Sequence, residues 1–281
     1  MFSRISNSWE LVKASAGVLR KDKELLVFPI ISTIGVILVT LGFILPFALG
    51  GLFDSVFSGK FQFAGYVVMA LYYVVQYTVI FFSNTALVGA AMIRLEGGDP
   101  TVRDGIQIAL KNFGNILGYS LIAATVGVIL RSISERSEGL GRFVVSLLGT
   151  AWNVATFLVV PVLAVEGIGP IEAVKRSTSL LKRTWGEQIA GNFGMGLFTF
   201  LAIIGVSLVG GAAIFGMVAL DIGVVPIVLV AGLVLLLLVL VGLVSSTLNS
   251  IYTAAVYQYA TTGESGEFFD SQLVQHAFRQ K

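Results

Sequence analysis

The sequence predicts an all-α polytopic membrane helix bundle: six transmembrane helices with short cytoplasmic amphipathic helices. Three observations predict it. Long apolar stretches hold no charge, the overall charge content is far below that of a soluble chain, and Lys and Arg gather on alternate connections. Of 281 residues, 56% are hydrophobic and only 12% are charged, against about 25% charged in soluble domains. A water-soluble fold of this size could not cover its apolar surface with so few charges, whereas a chain with lipid as its solvent has no need to.

A span needs about 20 apolar residues to cross roughly 30 Å of hydrocarbon. Six such runs occur, at 25–49, 63–93, 113–130, 143–165, 189–220 and 224–260. They form one integral membrane domain over 1–281, preceded within it by an amphipathic segment, 1–24, and closed by a polar tail, 264–281. Helices are expected because a backbone in lipid must satisfy its own polar groups within each segment. A β-barrel would need short alternating strands, and these runs are too long and too uniformly apolar. The second, fifth and sixth runs exceed the membrane thickness and must tilt, kink or project beyond it. Pro46, Pro161 and Pro226 are the candidate kinks or end signals, and a discontinuous helix is one reading of Gly205, Gly210 and Gly211.

Orientation follows from the cations. Arg4, Lys13, Arg20, Lys21 and Lys23 precede the first span; Arg94, Arg103 and Lys111 follow the second; Lys175, Arg176, Lys182 and Arg183 follow the fourth; Arg279 and Lys281 follow the sixth. The opposite side holds only Lys60, Arg131, Arg136 and Arg142. The positive-inside rule therefore places both termini in the cytoplasm, and the expected location is the cytoplasmic (inner) membrane of a prokaryote. The first apolar run starts after residue 24 and no small-residue cleavage pattern ends it early, so no cleavable signal peptide is expected.

Three segments ahead of the odd-numbered spans read as amphipathic helices. Their apolar stripes are Ile5, Trp9, Val12, Ala16 and Leu19; Val102, Ile106, Ala109, Leu110 and Phe113; and Ile171, Val174, Leu181 and Trp185. Such helices either lie in the membrane interface or pack as connectors. In the first case Trp9 and Trp185 would anchor at headgroup level, with Lys175, Arg176, Lys182 and Arg183 near anionic lipid. The even spans also end alike: Glu96-Gly97-x-x-Pro100 matches Glu166-Gly167-x-x-Pro170, and Thr262-Gly263 holds the comparable place. An asparagine precedes each glycine by thirteen or fourteen residues: Asn84, Asn153 and Asn249. Three units of one interfacial helix plus one hairpin would give a pseudo-threefold architecture.

Little in the sequence carries chemistry. There is no cysteine and one histidine, His276, which removes thiolate nucleophiles, disulfides and Cys- or His-based metal sites. No phosphate loop, H-E-x-x-H or G-x-S-x-G occurs. No ionisable residue lies in the middle of a span, against the pattern of a proton relay or voltage sensor. No enzyme activity, cofactor or nucleic-acid partner is expected. Arg94 and Glu166 lie at span ends, where charges are cheap to keep hydrated, and read as caps. The intramembrane polar residues are neutral: Gln76, Asn84, Thr85, Asn153, Asn192 and Asn249. They read either as interhelical hydrogen-bonding glue or as the lining of a solute path. Gly114-x-x-x-Gly118, Ala190-x-x-x-Gly194 and Ala212-x-x-x-Gly216 permit close helix approach, within one bundle or across a homo-oligomer. The tail, with Phe268, Phe269, Leu273 and Phe278, is expected to dock on its own protein rather than on a partner.

Two stretches carry a resemblance. They are Ser8-Trp9-Glu10-Leu11-Val12-Lys13 with Leu19-Arg20-Lys21-Asp22-Lys23-Glu24-Leu25, and Tyr257-Gln258-Tyr259-Ala260-Thr261-Thr262-Gly263 with Ala277-Phe278-Arg279. The chain resembles, over nearly its whole length, a prokaryotic family of uncharacterised six-span integral membrane proteins. The resemblance implies topology and no activity. Pro170-x-x-Ala173-Val174-Lys175-Arg176-Ser177 with Leu180-Leu181-Lys182 is more loosely similar to the membrane domain beside some glycerophosphodiester phosphodiesterases, with no catalytic residue to carry over.

Two functional readings result. The first is a non-enzymatic protein of membrane organisation, or a subunit of a membrane assembly, whose partners are membrane lipid and a further protein or copy of itself. The second is a channel or transporter for a neutral or lipid-like solute along an Asn-lined path. A polar cavity reaching mid-membrane would favour the second, and a closed bundle with an apolar outer groove the first.

Overall fold

The computed structural model describes residues 2–50, 62–185, 194–263 and Phe269. It is an all-α bundle. Helix α1 (Phe2–Lys21) leads through a 3₁₀ turn (Lys23–Leu26) into α2 (Val27–Gly50). Then come α3 (Gln62–Leu95), the short α4 (Val102–Lys111), α5 (Phe113–Arg136), α6 (Leu140–Ala155), α7 (Val159–Val165), α8 (Pro170–Trp185), α9 (Gly194–Ala219) and α10 (Val224–Thr262). Six stretches are long and apolar enough to span a membrane: Lys23–Gly50, Phe63–Leu95, Phe113–Arg136, Leu140–Val165, Phe198–Ala219 and Val224–Thr262. The 34 residues of α3 and 39 of α10 run about 51 and 58 Å at 1.5 Å per residue, so both project well past the hydrocarbon.

The prolines act differently from one another. Pro46 lies inside a continuous α2. Pro226 lies in the first turn of α10, where its missing N–H costs nothing. Pro161 breaks the fourth span. A proline there would clash with the carbonyl four residues back, at Phe157, and the helix gives way at a turn over 156–158. The exposed N-terminus of α7 is repaired by a neighbour: the backbone N–H of Leu158 donates to Ser177 Oγ of α8 at 3.1 Å. The discontinuity considered near Gly205, Gly210 and Gly211 is absent, because α9 runs unbroken from Gly194 to Ala219. Gly210 serves packing instead: a Cβ there would lie 2.4 Å from Val234 Cγ2 of α10.

The buried core sits at the end of the bundle that carries α1, α4 and α8, which we call the basic end. It is built from 85–92 of α3, 158–163 around the start of α7, and 251–257 of α10. Leu11 and Val18 of α1, Ala109 of α4, Leu180 and Leu181 of α8, and Phe269 pack into the same cluster. Phe269 is 3% exposed; the rest of the tail, with Phe268, Leu273 and Phe278, lies outside the described residues. Toward the other end, α2, α9 and the first half of α10 present exposed Leu, Ile, Val and Phe, as lipid-facing helices do.

The repeat is visible in the backbone. Gly97, Gly167 and Gly263, which follow α3, α7 and α10, all have positive φ, at 87°, 62° and 81°. This is the left-handed helix-terminating conformation that glycine adopts at little cost. Each short helix packs on an even span: α4 on α3, α8 on α7, and α1 on α10, which closes the cycle. Leu11, Ser15, Val18 and Leu19 of α1 and Ala173, Ser177, Leu180 and Leu181 of α8 are buried at identical spacing. Asp22 and Asn112, at matching places after α1 and α4, each reach the next even span two residues before its terminal glutamate. Asp22 takes Arg94, and Asn112 Nδ2 donates to the Ala164 carbonyl at 3.4 Å. The start of α4 is closed by a capping box between Thr101 and Asp104.

Candidate functional site

The recurring asparagines differ in burial. Asn84 on α3 is half-buried, while Asn153 on α6 and Asn249 on α10 are exposed. Among the described residues, none of these three side chains makes a hydrogen bond. Asn192 lies outside the described residues. Gln76 behaves differently: it is buried between α2 and α3, and its Nε2 donates to Thr40 Oγ1 at 2.7 Å, Tyr72 Oη at 2.9 Å and the Val36 carbonyl at 3.3 Å. Thr40 in turn donates to the Val36 carbonyl at 2.8 Å. Among the described residues the Oε1 of Gln76 has no hydrogen-bond partner. This knot locks the first hairpin together by interhelical hydrogen bonds.

The span-end charges are held in place rather than left to water. Arg94 is 8% exposed and pairs with Asp22 at 3.3 Å and with Asp99. The pair with Asp22 is buried, while Asp99 is exposed. Burial raises the Asp22 carboxyl above its ordinary range, against the opposing pull of the Arg94 guanidinium. Glu166 joins three elements: its carboxylate takes Arg176 Nε of α8 at 2.9 Å and the Tyr257 hydroxyl of α10 at 3.0 Å. Arg176, read from sequence as a headgroup anchor, is thus committed to Glu166. Lys175 and Lys182 are exposed as expected. The side chains of Arg183 and Trp185 lie outside the described residues.

Trp9 is exposed and lines a groove. Its ring stands 5.1 Å from that of Phe198 on α9, and Lys13 Nζ lies 5.5 Å from the Trp9 ring centroid. From there a groove of about 480 Å³ follows the seam between α1, α9 and α10, past Val12, Val206, Leu237 and Val244. Val206 and Leu237 are shared with a second groove of about 370 Å³ that continues past Gly205, Gly210 and Val234. Thr199 and Ser245 are the hydroxyl residues of a lining otherwise made of apolar side chains and glycine. Asn84, Asn153 and Asn249 and the acids Asp22, Asp99 and Glu166 are not among the residues lining these grooves.

Sequence reasoning did not find this groove. Its signal was present in Gly205, Gly210 and Ala213, small residues on one side of α9, but a groove also needs the placement of α1 across the α9–α10 hairpin. That placement is a tertiary fact no local pattern contains.

Residues 63–268 match the model of a family described as Family of unknown function (DUF6159), and the chain belongs to that family. No curated protein and no solved structure matches the chain.

Proposed function

We propose that this member of a family of unknown function is a non-enzymatic, multi-pass protein of a prokaryotic cytoplasmic membrane, with both termini inside, that acts through its contacts with lipid or with other membrane components. The observation that carries the reading is the pair of adjoining apolar grooves along α1, α9 and α10, the first of them lined by Trp9. They offer acyl-like surface and no polar path. Asn84, Asn153 and Asn249, the residues a solute path would draw on, are not among the residues lining these grooves. The bias of Lys and Arg toward the basic end supports the orientation, and the exposed Trp9 supports α1 lying at headgroup level.

The test is reconstitution of the purified protein into liposomes loaded with small neutral and charged fluorescent solutes, alongside affinity purification from native membranes. The expected result is liposomes as tight as protein-free controls, together with reproducible co-purification of lipid or of a membrane protein. Solute-permeable liposomes with nothing co-purifying would overturn the reading in favour of a channel or transporter.

A further inference from the structure

We propose that the groove between α1, α9 and α10 holds one acyl chain of an anionic phospholipid from the leaflet at the basic end, with Lys13 at its headgroup; this rests on the lipid-contact reading above and names its ligand. Three features select that occupant. The lining is apolar along its length, so a polar ligand would lose its hydration there without recovering hydrogen bonds. The groove is long: from Phe198 to Ala213 on α9 it covers about 22 Å of helix, more than the roughly 15 Å of one leaflet's hydrocarbon, which suits an extended acyl chain.

The charge at the mouth decides the headgroup. Trp9 stands at the mouth and Lys13 Nζ lies over its ring. Arg20 is exposed further along the same helix, and Glu10 is the acid next to Trp9. The cations outnumber that acid on the exposed part of α1, which favours an anionic headgroup over a zwitterionic one. The aromatic ring is suited to the boundary between headgroup and chain.

The experiment uses the full-length chain with Trp152→Phe and Trp185→Phe, leaving Trp9 as its one tryptophan reporter. The protein is reconstituted in phosphatidylcholine vesicles containing increasing fractions of either brominated phosphatidylglycerol or brominated phosphatidylcholine, with bromine high on one chain. Trp9 emission should be quenched by the anionic lipid at about fivefold lower mole fraction, the preference a single basic residue gives at a membrane surface. Lys13→Gln should remove that preference, and Ala202→Phe or Ser245→Phe, which fill the groove, should reduce quenching to the level of bulk lipid. Equal quenching by both lipids, or a preference that persists in both groove-filled variants, would overturn the assignment. Vesicles that stay impermeable to solute in that case would leave the broader lipid-contact reading standing.

Discussion

The hydroxyl of Tyr257 on α10 donates to Glu166 at the end of α7 over 3.0 Å, while Arg176 of α8 reaches the same carboxylate at 2.9 Å. One side chain thereby fastens the sixth span, the fourth span and a short helix at the basic end. Glu166→Ala should therefore destabilise the protein by about 1–3 kcal/mol, through loss of a charged hydrogen bond and stranding of two donors. Tyr257→Phe, which leaves the ion pair intact, should cost about 1 kcal/mol. Thermal unfolding in detergent checks the ranking; a Tyr257→Phe effect equal to that of Glu166→Ala would show that Arg176 contributes nothing.

Asp22 gives a pH dependence of defined sign. Burial raises its carboxyl above the ordinary value despite Arg94. A carboxyl that holds its proton more tightly when folded contributes stability fully below its unfolded value of about 3.9, and that contribution is lost as pH rises through the folded value. Relative to Asp22→Asn, the unsubstituted protein should lose stability on going from acid to neutral pH. Denaturation curves for both proteins across that range provide the measurement, and a relative gain toward neutrality would mean that the attraction to Arg94 outweighs burial.

How far the sequence reached can be judged residue by residue. The spans were legible because apolar length is a local property. The repeat was legible because positions that need φ > 0, such as Gly97, Gly167 and Gly263, leave a mark that a single chain retains. The repeat does not hold the asparagines to one helix face. Asn84 lies thirteen residues before its glycine and Asn153 and Asn249 fourteen, and one residue turns a helix face by about 100°. Asn153 also precedes the break at 156–158, so its direction is uncoupled from the segment that ends at Gly167. The groove and the Arg94–Asp22 pair depend on elements distant in the chain, and no periodicity encodes them.

Gly105 of α4 is tightly enclosed. A Cβ there would stand 2.5 Å from the Phe28 ring and 2.6 Å from the Ala86 carbonyl oxygen. The second of these is backbone and cannot swing away, so Gly105→Ala should push α4 off α3. The expected cost is about 1–3 kcal/mol, outweighing the roughly 1 kcal/mol that Ala gains over Gly in a helix. Gly42→Ala, where nothing lies within 4 Å, should be neutral or stabilising by the same propensity. Paired melting curves of the two variants separate packing from propensity, and equal shifts would contradict the close contact of α4 with α3.

Gln76 tests whether intramembrane polarity in the first hairpin serves packing or transport. Its Nε2 bonds to Thr40 and the Val36 carbonyl hold α2 on α3, but among the described residues its Oε1 has no partner. Replacement by Met keeps the volume, removes the unpaired acceptor along with the donors, and leaves Thr40 satisfied by the Val36 carbonyl at 2.8 Å. Interhelical bonds of this kind contribute about 0.6 kcal/mol each on average, and deleting an unsatisfied acceptor returns a similar amount. Gln76→Met should therefore change stability by less than about 1 kcal/mol. It should also leave the solute permeability of reconstituted liposomes at the level of the unsubstituted protein. A variant that folds normally but changes a measurable flux would place a solute path between α2 and α3, and with it a function that the apolar groove does not account for.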